Sequence, residues 1–235
     1  MKFQNVGLRI VKDFKRPNNE LIEKFNEVAV ANLDDVMNRI SGIDENIRPL
    51  NNSKLLGTAF TVKVPIGDNL MFHKAMDLAK PGDVIVIDAG GNTQRSILGE
   101  LMVTYCRLRG IAGIVVDGSV RDADELANLE DFAIYAKGIT PDGPYKNGPG
   151  EINTPIVCGG QVVYPGDIVI GDYDGVVFVR PDEASLLLEK VRKHKANEEK
   201  IIETMKRDGT YLRPWVDKTL EKMGVSYTDY IEYFK

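Results

Sequence analysis

Hydrophobic positions along this chain change period several times, and each change predicts an element. Leu21, Ile22, Phe25, Val28, Ala29 and Leu33 recur at helical spacing, which predicts a helix within residues 19–40. Phe60, Val62 and Val64 alternate with Thr61 and Lys63, the pattern of a half-buried strand over residues 57–64. Residues 71–79 read as a short helix that stops at Pro81. The run Pro81-Gly-Asp-Val-Ile-Val-Ile-Asp-Ala-Gly-Gly91 then supplies a turn, an apolar strand and a glycine pair. Residues 93–109 read as a helix burying Ile97, Leu98, Leu101, Met102, Tyr105 and Leu108, with Gly110 as its stop. A strand at 114–116 follows, so this strand–helix–strand succession predicts a parallel, right-handed crossover.

The second half is richer in strands. Residues 132–136, 154–158, 161–164, 167–170 and 175–179 are short apolar runs separated by Gly, Pro and Asp turns. Pro165-Gly-Asp-Ile-Val-Ile-Gly-Asp-Tyr-Asp-Gly175 echoes the run at 81–91, which suggests two like turn-plus-strand units in one β-rich core. From Pro181 the chain turns helical and charged, with Lys190, Arg192, Lys193, Lys195, Glu198, Glu199 and Lys200 reading as a solvated face. The last stretch carries Tyr211, Trp215, Leu220, Met223, Tyr227, Tyr230 and Phe234, too aromatic for a disordered tail and suited to docking on this subunit or a neighbour. The division expected is a domain over 1–180 and a helical extension over 181–235.

Composition narrows the class. With 43% hydrophobic and 28% charged residues, the 235-residue chain reads as one soluble domain with an appendage. A net charge of −5 offers no basic field for nucleic acid or an anionic membrane. Cys106 and Cys158 form no CxxC pair and sit in apolar stretches, as buried thiols of a reducing compartment do. The N-terminal stretch has no continuous apolar segment, and the cytoplasm is the expected location. With only His73 and His194, any metal is expected to be a hard ion held by oxygen.

The chemistry concentrates at Gly113-Ile-Val-Val-Asp-Gly-Ser-Val-Arg-Asp122, an apolar strand that delivers Arg121 beside Asp122. Twenty residues separate this pair from Glu100, a second carboxylate. A guanidinium and two carboxylates suit a divalent metal with an anionic substrate. An equal alternative is structural, because Asp122-Ala-Asp-Glu125 has the spacing of a capping box for the next helix. Gly90-Gly91 lacks the full phosphate-loop pattern. His73 reads as a structural or pocket-lining residue, and Tyr145 and Lys146 lie in a Gly/Pro-rich loop at 138–150.

Four blocks give a more specific signal. They are Ile66-Gly-Asp-Asn-Leu-Met-Phe-His-Lys-Ala75, Pro81-Gly-Asp-Val-Ile-Val-Ile-Asp88, Gly99-Glu-Leu101 and Gly110-Ile-Ala-Gly-Ile-Val-Val-Asp-Gly-Ser-Val-Arg-Asp122. Together they resemble the RraA-like superfamily, over roughly residues 20–200. That family contains class II pyruvate aldolases acting on 4-hydroxy-4-methyl-2-oxoglutarate, and the RraA regulators of ribonuclease E. Its members are often mislabelled as dimethylmenaquinone methyltransferases.

The resemblance implies an α/β fold of the swivelling β/β/α type with a mixed sheet, assembled as a homotrimer or homohexamer with active sites at subunit boundaries. It implies Mg²⁺ or Mn²⁺ held directly by Asp122, with Glu100 acting through metal-bound water. Arg121 would meet the pyruvyl part of an oxo-acid substrate, and backbone amides around Gly99, Leu101 and Met102 would hold its carboxylate. Glu198 or Glu199 of a neighbouring subunit would complete the metal shell through water. Glu100 stands where the aldolases carry aspartate, so the acid at that position reaches further. The activity implied is cleavage of a 4-hydroxy-2-oxo acid to pyruvate, with oxaloacetate decarboxylation beside it; the competing reading is a regulator that binds a ribonuclease.

Overall fold

The strand from Asp83 to Asp88 is buried at every position, which requires apolar layers on both sides of it. The computed structural model describes residues 5–228; Tyr230 and Phe234 lie outside the described residues, as do the first four positions of the N-terminal stretch. In chain order the elements are β1 (Leu8–Ile10), α1 (Asn19–Glu23), α2 (Val30–Val36), β2 (Arg48–Pro49), β3 (Leu55–Lys63), α3 (Leu70–Leu78) and β4 (Asp83–Asp88). There follow β5 (Ser96–Leu98), α4 (Glu100–Leu108), β6 (Gly113–Val120), α5 (Ala123–Ala127), β7 (Ala133–Ile139), β8 (Gly150–Ile152) and β9 (Ile156–Cys158). The chain continues through β10 (Gln161–Val163), β11 (Ile168–Asp172), β12 (Gly175–Val179), α6 (Ala184–Asp208) and α7 (Pro214–Lys222).

Strands β3, β4, β6 and β7 run parallel at the centre of a mixed ten-stranded sheet. The outer edge of β3 is shared, with β11 antiparallel along residues 55–58 and β8 antiparallel at Val62 and Lys63. Side chains alternate between two interiors. Ile85, Ile87, Ile114, Val116 and Ile134 pack with Phe72, Ala75, Val103 and Cys106 of α3 and α4. Val84, Val86, Val115, Ala133 and Tyr135 pack instead with Ile156, Cys158, Val163 and Val169. A third cluster joins Ile168, Ile170, Val177 and Val179 to Phe25, Leu33, Leu187 and Leu188. The architecture is α/β with a large mixed sheet and C-terminal helices, as expected.

The structure corrects three local expectations. The helix over 19–40 is two helices, because Ala29 is extended and Asp172 accepts the Val30 N–H at 2.9 Å, capping α2 from a distant strand. The strand β3 is buried on both faces rather than one, with the Thr61 hydroxyl donating to Thr154 O at 2.6 Å. The helix over 93–109 starts only at Glu100, since Ser96–Leu98 pairs with β6 as a strand. Its buried residues are Val103 and Cys106, whereas Leu101 and Leu108 are exposed.

The echoed Pro-Gly-Asp turns fold alike. Asp83 accepts the Lys80 N–H and Asp167 accepts the Tyr164 N–H, each at 2.8 Å, with Gly82 and Gly166 at positive φ. The strands they launch, β4 and β11, flank β3 on opposite sides. Each aspartate is almost wholly buried and has its own arginine, Arg16 for Asp83 and Arg180 for Asp167.

Two compact units divide the chain, Met1–Arg192 and Lys193–Lys235. The buried residues of α6, Ala184, Leu187, Leu188 and Val191, all belong to the first. In the second, α7 opens on Pro214 and no residue of it is buried. Among the described residues no helix is long and apolar enough to cross a membrane.

The two turns predict a ranking. Asp83→Ala leaves Arg16, whose side chain is only 20% exposed, without its bidentate partner and should cost about 3 kcal/mol. Asp167→Ala should cost less, because burial opposes its charge and Arg180, at 45% exposed, reaches water. Urea unfolding of both variants checks this, and an equal or reversed order would refute it.

Candidate active site

Strand β5 ends at Leu98, Gly99 is the N-cap and α4 begins at Glu100, so the first free amides of that helix face the turn that follows β6. Arg121 joins the two through its N–H, which donates to Leu98 O at 3.0 Å. Asp122 adopts a left-handed backbone (φ 57°, ψ 43°), a conformation aspartate tolerates better than most residues. That turn swings its carboxylate back to α4, where Oδ2 accepts the Glu100 N–H at 2.9 Å. A carboxylate at a helix N-terminus is favoured by the helix dipole.

The capping-box expectation is therefore corrected. Asp122 makes no side-chain cap bond to α5 and instead caps α4, which starts 22 residues earlier. Gly99 is required for space rather than for φ. A Cβ there would overlap Asp122 Oδ2 and crowd Arg121 Cγ.

A cavity of about 270 Å³ opens at this junction. Gly99, Leu101, Met102, Arg121 and Asp122 all line it, so five of the residues singled out from sequence meet in one place. Leu101 is 82% exposed, and the Met102 N–H already donates to Gly99 O at 3.1 Å. Glu100 stands next to the cavity without lining it, its side chain exposed. Arg121 Nε and Asp122 Oδ2 are 3.7 Å apart, both partly open to solvent. Glu198 and Glu199 lie on α6 in the second unit, where Glu198 pairs with His194 at 3.3 Å.

The opposite wall is the 138–150 loop, which is firmly tied down. Ser96 donates from both N–H and Oγ to Asp142 O at 2.8 Å, and Arg95 donates to Gly143 O at 2.9 Å. The guanidinium of Arg95 also covers the Tyr145 ring at 4.4 Å. Buried Asp68 accepts the N–H groups of Asn147 and Gly148, at 2.6 and 3.1 Å. The loop thereby carries Pro144 and Lys146 to the cavity.

Two further residues line it from α3 and its N-terminus, Asn69 and His73. Burial, seconded by Lys146 and opposed by Asp77, pushes the His73 imidazole below its usual range, which keeps it neutral at pH 7. Sequence reading did not single out Asn69, and its place within the 66–75 block was the only signal.

Among the described residues, no three of His, Cys, Asp and Glu gather into a metal cage. The oxygen chemistry at the cavity nevertheless suits a hard cation, since Asp122 spends one oxygen on a backbone N–H and keeps its carboxylate 38% exposed at the wall.

Comparison with known proteins agrees with this architecture. A family profile described as RraA-like, Aldolase/RraA, matches residues 30–178. A Halalkalibacterium halodurans protein named "Putative 4-hydroxy-4-methyl-2-oxoglutarate aldolase" is 37% identical over 202 residues, covering 86% of this chain and 96% of that protein. The structure of Streptomyces coelicolor RraAS2, described as an unusual member of the RNase ES inhibitor RraA family, superposes with a TM-score of 0.69 at 30% identity, covering 78% of this chain and 97% of that one. An uncharacterized Pseudomonas syringae protein shares the fold at a TM-score of 0.75 and 24% identity, over 85% of this chain and 94% of that one. With its central sheet and the Gly99–Asp122 junction inside the matched span, this chain belongs to the RraA-like, Aldolase/RraA, family.

Proposed function

We propose that the protein is a divalent-metal-dependent lyase that cleaves a 4-hydroxy-2-oxo acid to release pyruvate and also decarboxylates oxaloacetate. The observation that carries this reading is the meeting of Arg121, Asp122 and the N-terminal turn of α4 in one cavity. Likeness to proteins named as aldolases supports it.

Both reactions need the same thing. In aldol cleavage water takes the 4-hydroxyl proton, the C3–C4 bond breaks and C4 departs as a carbonyl product; in oxaloacetate the C3–C4 bond breaks with release of CO₂. Either way the electron pair enters an enolate of pyruvate, which then takes a proton at C3. Arg121 supplies a fixed positive charge that pairs with the pyruvyl carboxylate or the developing oxyanion. The α4 N-terminus adds its dipole on the same side. Asp122 would hold Mg²⁺ or Mn²⁺, with Glu100 nearby and Glu198 or Glu199 contributed by a neighbouring subunit in a homotrimer or homohexamer. When bound, such an ion supplies Lewis-acid stabilisation of the enolate. Gly99 keeps the Asp122 carboxylate and the Arg121 stem close to the helix end. The extension at 181–235 is assigned to a subunit interface, and the protein to the cytoplasm.

A second reading is favoured by the likeness to Streptomyces RraAS2, namely a regulator that binds a ribonuclease. Coupling pyruvate release to lactate dehydrogenase, over a panel of 4-hydroxy-2-oxo acids and oxaloacetate, decides between them. Mg²⁺- or Mn²⁺-dependent pyruvate is expected, and its loss on chelation; none from any acid would overturn the lyase reading.

Asp122→Asn should lower pyruvate release by about a hundredfold or more while keeping an acceptor for the Glu100 N–H, so that the melting temperature holds. Activity unchanged per folded molecule would make Asp122 a cap alone. Lys146 lines the cavity and is the amine an imine mechanism would use. Borohydride with pyruvate should therefore leave the chain unlabelled, and a trapped adduct on Lys146 would replace the metal mechanism.

A further inference from the structure

Asn69 is 1% exposed, yet it lines the cavity shared by Arg121 and Lys146. Its Nδ2 donates to Ile97 O at 2.8 Å and lies 3.6 Å from Met102 Sδ. A carbonyl oxygen can only accept, so this bond fixes which end of the amide is which. Oδ1 is consequently an acceptor, and it is buried with no donor among the described residues. Asp117 and Asn153 also leave a buried oxygen without a hydrogen bond among the described residues, but neither lines this cavity.

A buried acceptor without a donor costs free energy that a ligand group can restore. The other polar groups here point to what that group is. Arg121 and Lys146 are cations suited to carboxylates, and His73 is held neutral. A carboxylate or a keto oxygen has no proton to offer Asn69, whereas an alcohol has one.

Resting on the lyase reading for the substrate's 2-oxo acid end, we infer that Asn69 Oδ1 accepts a hydrogen bond from the substrate's hydroxyl group. Asn69 is then a specificity residue that separates hydroxylated 2-oxo acids from those without the hydroxyl. Its backbone is held for the task, since its N–H donates to Tyr145 O at 3.0 Å and its C=O receives the His73 N–H at 3.0 Å. The 138–150 loop and α3 thus share the residue that meets the hydroxyl.

The test is a thermal-shift titration of the full chain, with a chelator present so that no turnover consumes the ligand, against three ligands: 4-hydroxy-2-oxopentanoate, 2-oxopentanoate and pyruvate. The wild type should bind the hydroxy acid about tenfold or more tightly than its deoxy counterpart. In Asn69→Ala and the volume-matched Asn69→Leu this preference should collapse while pyruvate binding stays within about twofold. Equal or absent binding of the first two ligands to wild type overturns the inference and needs no variant. A preference that survives in either folded variant overturns it as well. Pyruvate release from oxaloacetate, which presents no such alcohol, separately tests the lyase reading. A hydroxyl preference without turnover would leave Asn69 as the hydroxyl acceptor of a binding protein.

Discussion

The carboxylate of Asp122 accepting the Glu100 N–H locks together two ends of the fold that the β5–β6 pairing and the Arg121 N–H to Leu98 O bond bring side by side. One is the turn leaving β6, the other the junction of β5 and α4. The bond demands a left-handed aspartate and a glycine at position 99, and both are present. It caps α4 from outside, so that helix starts directly at the cavity wall with Arg121 beside it. The left-handed backbone at Asp122 and the lack of room for a side chain at position 99 go with that one contact.

The contact is held in place by the sheet. β4 and β6 are buried on both faces, each pairing with neighbours along most of its length. Close packing on either side leaves the end of β6 little freedom, so the turn it delivers is positioned by the core. The short β5 extends β6 past its last paired residue with β4 and brings Gly99 alongside Arg121. Opposite, Arg95, Ser96 and Asp68 pin a loop rich in glycine and proline, which makes a cavity wall out of a segment with little structure of its own.

The two Pro-Gly-Asp turns show how one local rule serves two places. Each aspartate closes its own turn and takes an arginine from elsewhere, and the launched strands pair with β3 in opposite senses. The turn geometry is local and repeats. The strand direction is not, because it follows from where each strand enters the sheet.

Much of this was legible from residues alone. An apolar run without alternation, as in β4, requires cover on both faces wherever it sits, and a Pro-Gly-Asp turn carries its own hydrogen bonds. The sequence alone also marked Arg121 beside Asp122, since neighbours in the chain stay neighbours in space. Tertiary structure decided the rest. Ile97 and Leu98 match a helical stripe with Leu101 and Leu108, and only pairing with β6 makes Ser96–Leu98 a strand and leaves those two leucines exposed. The spacing of Asp122 and Glu125 fits a capping box, yet a left-handed backbone sends the carboxylate to a different helix. Asn69 carried no signal beyond its place in the 66–75 block, because an orphaned acceptor exists only once Ile97, Met102 and the cavity surround it. Periodicity tells which residues need burial, but the partner that buries or completes them comes from distant parts of the chain.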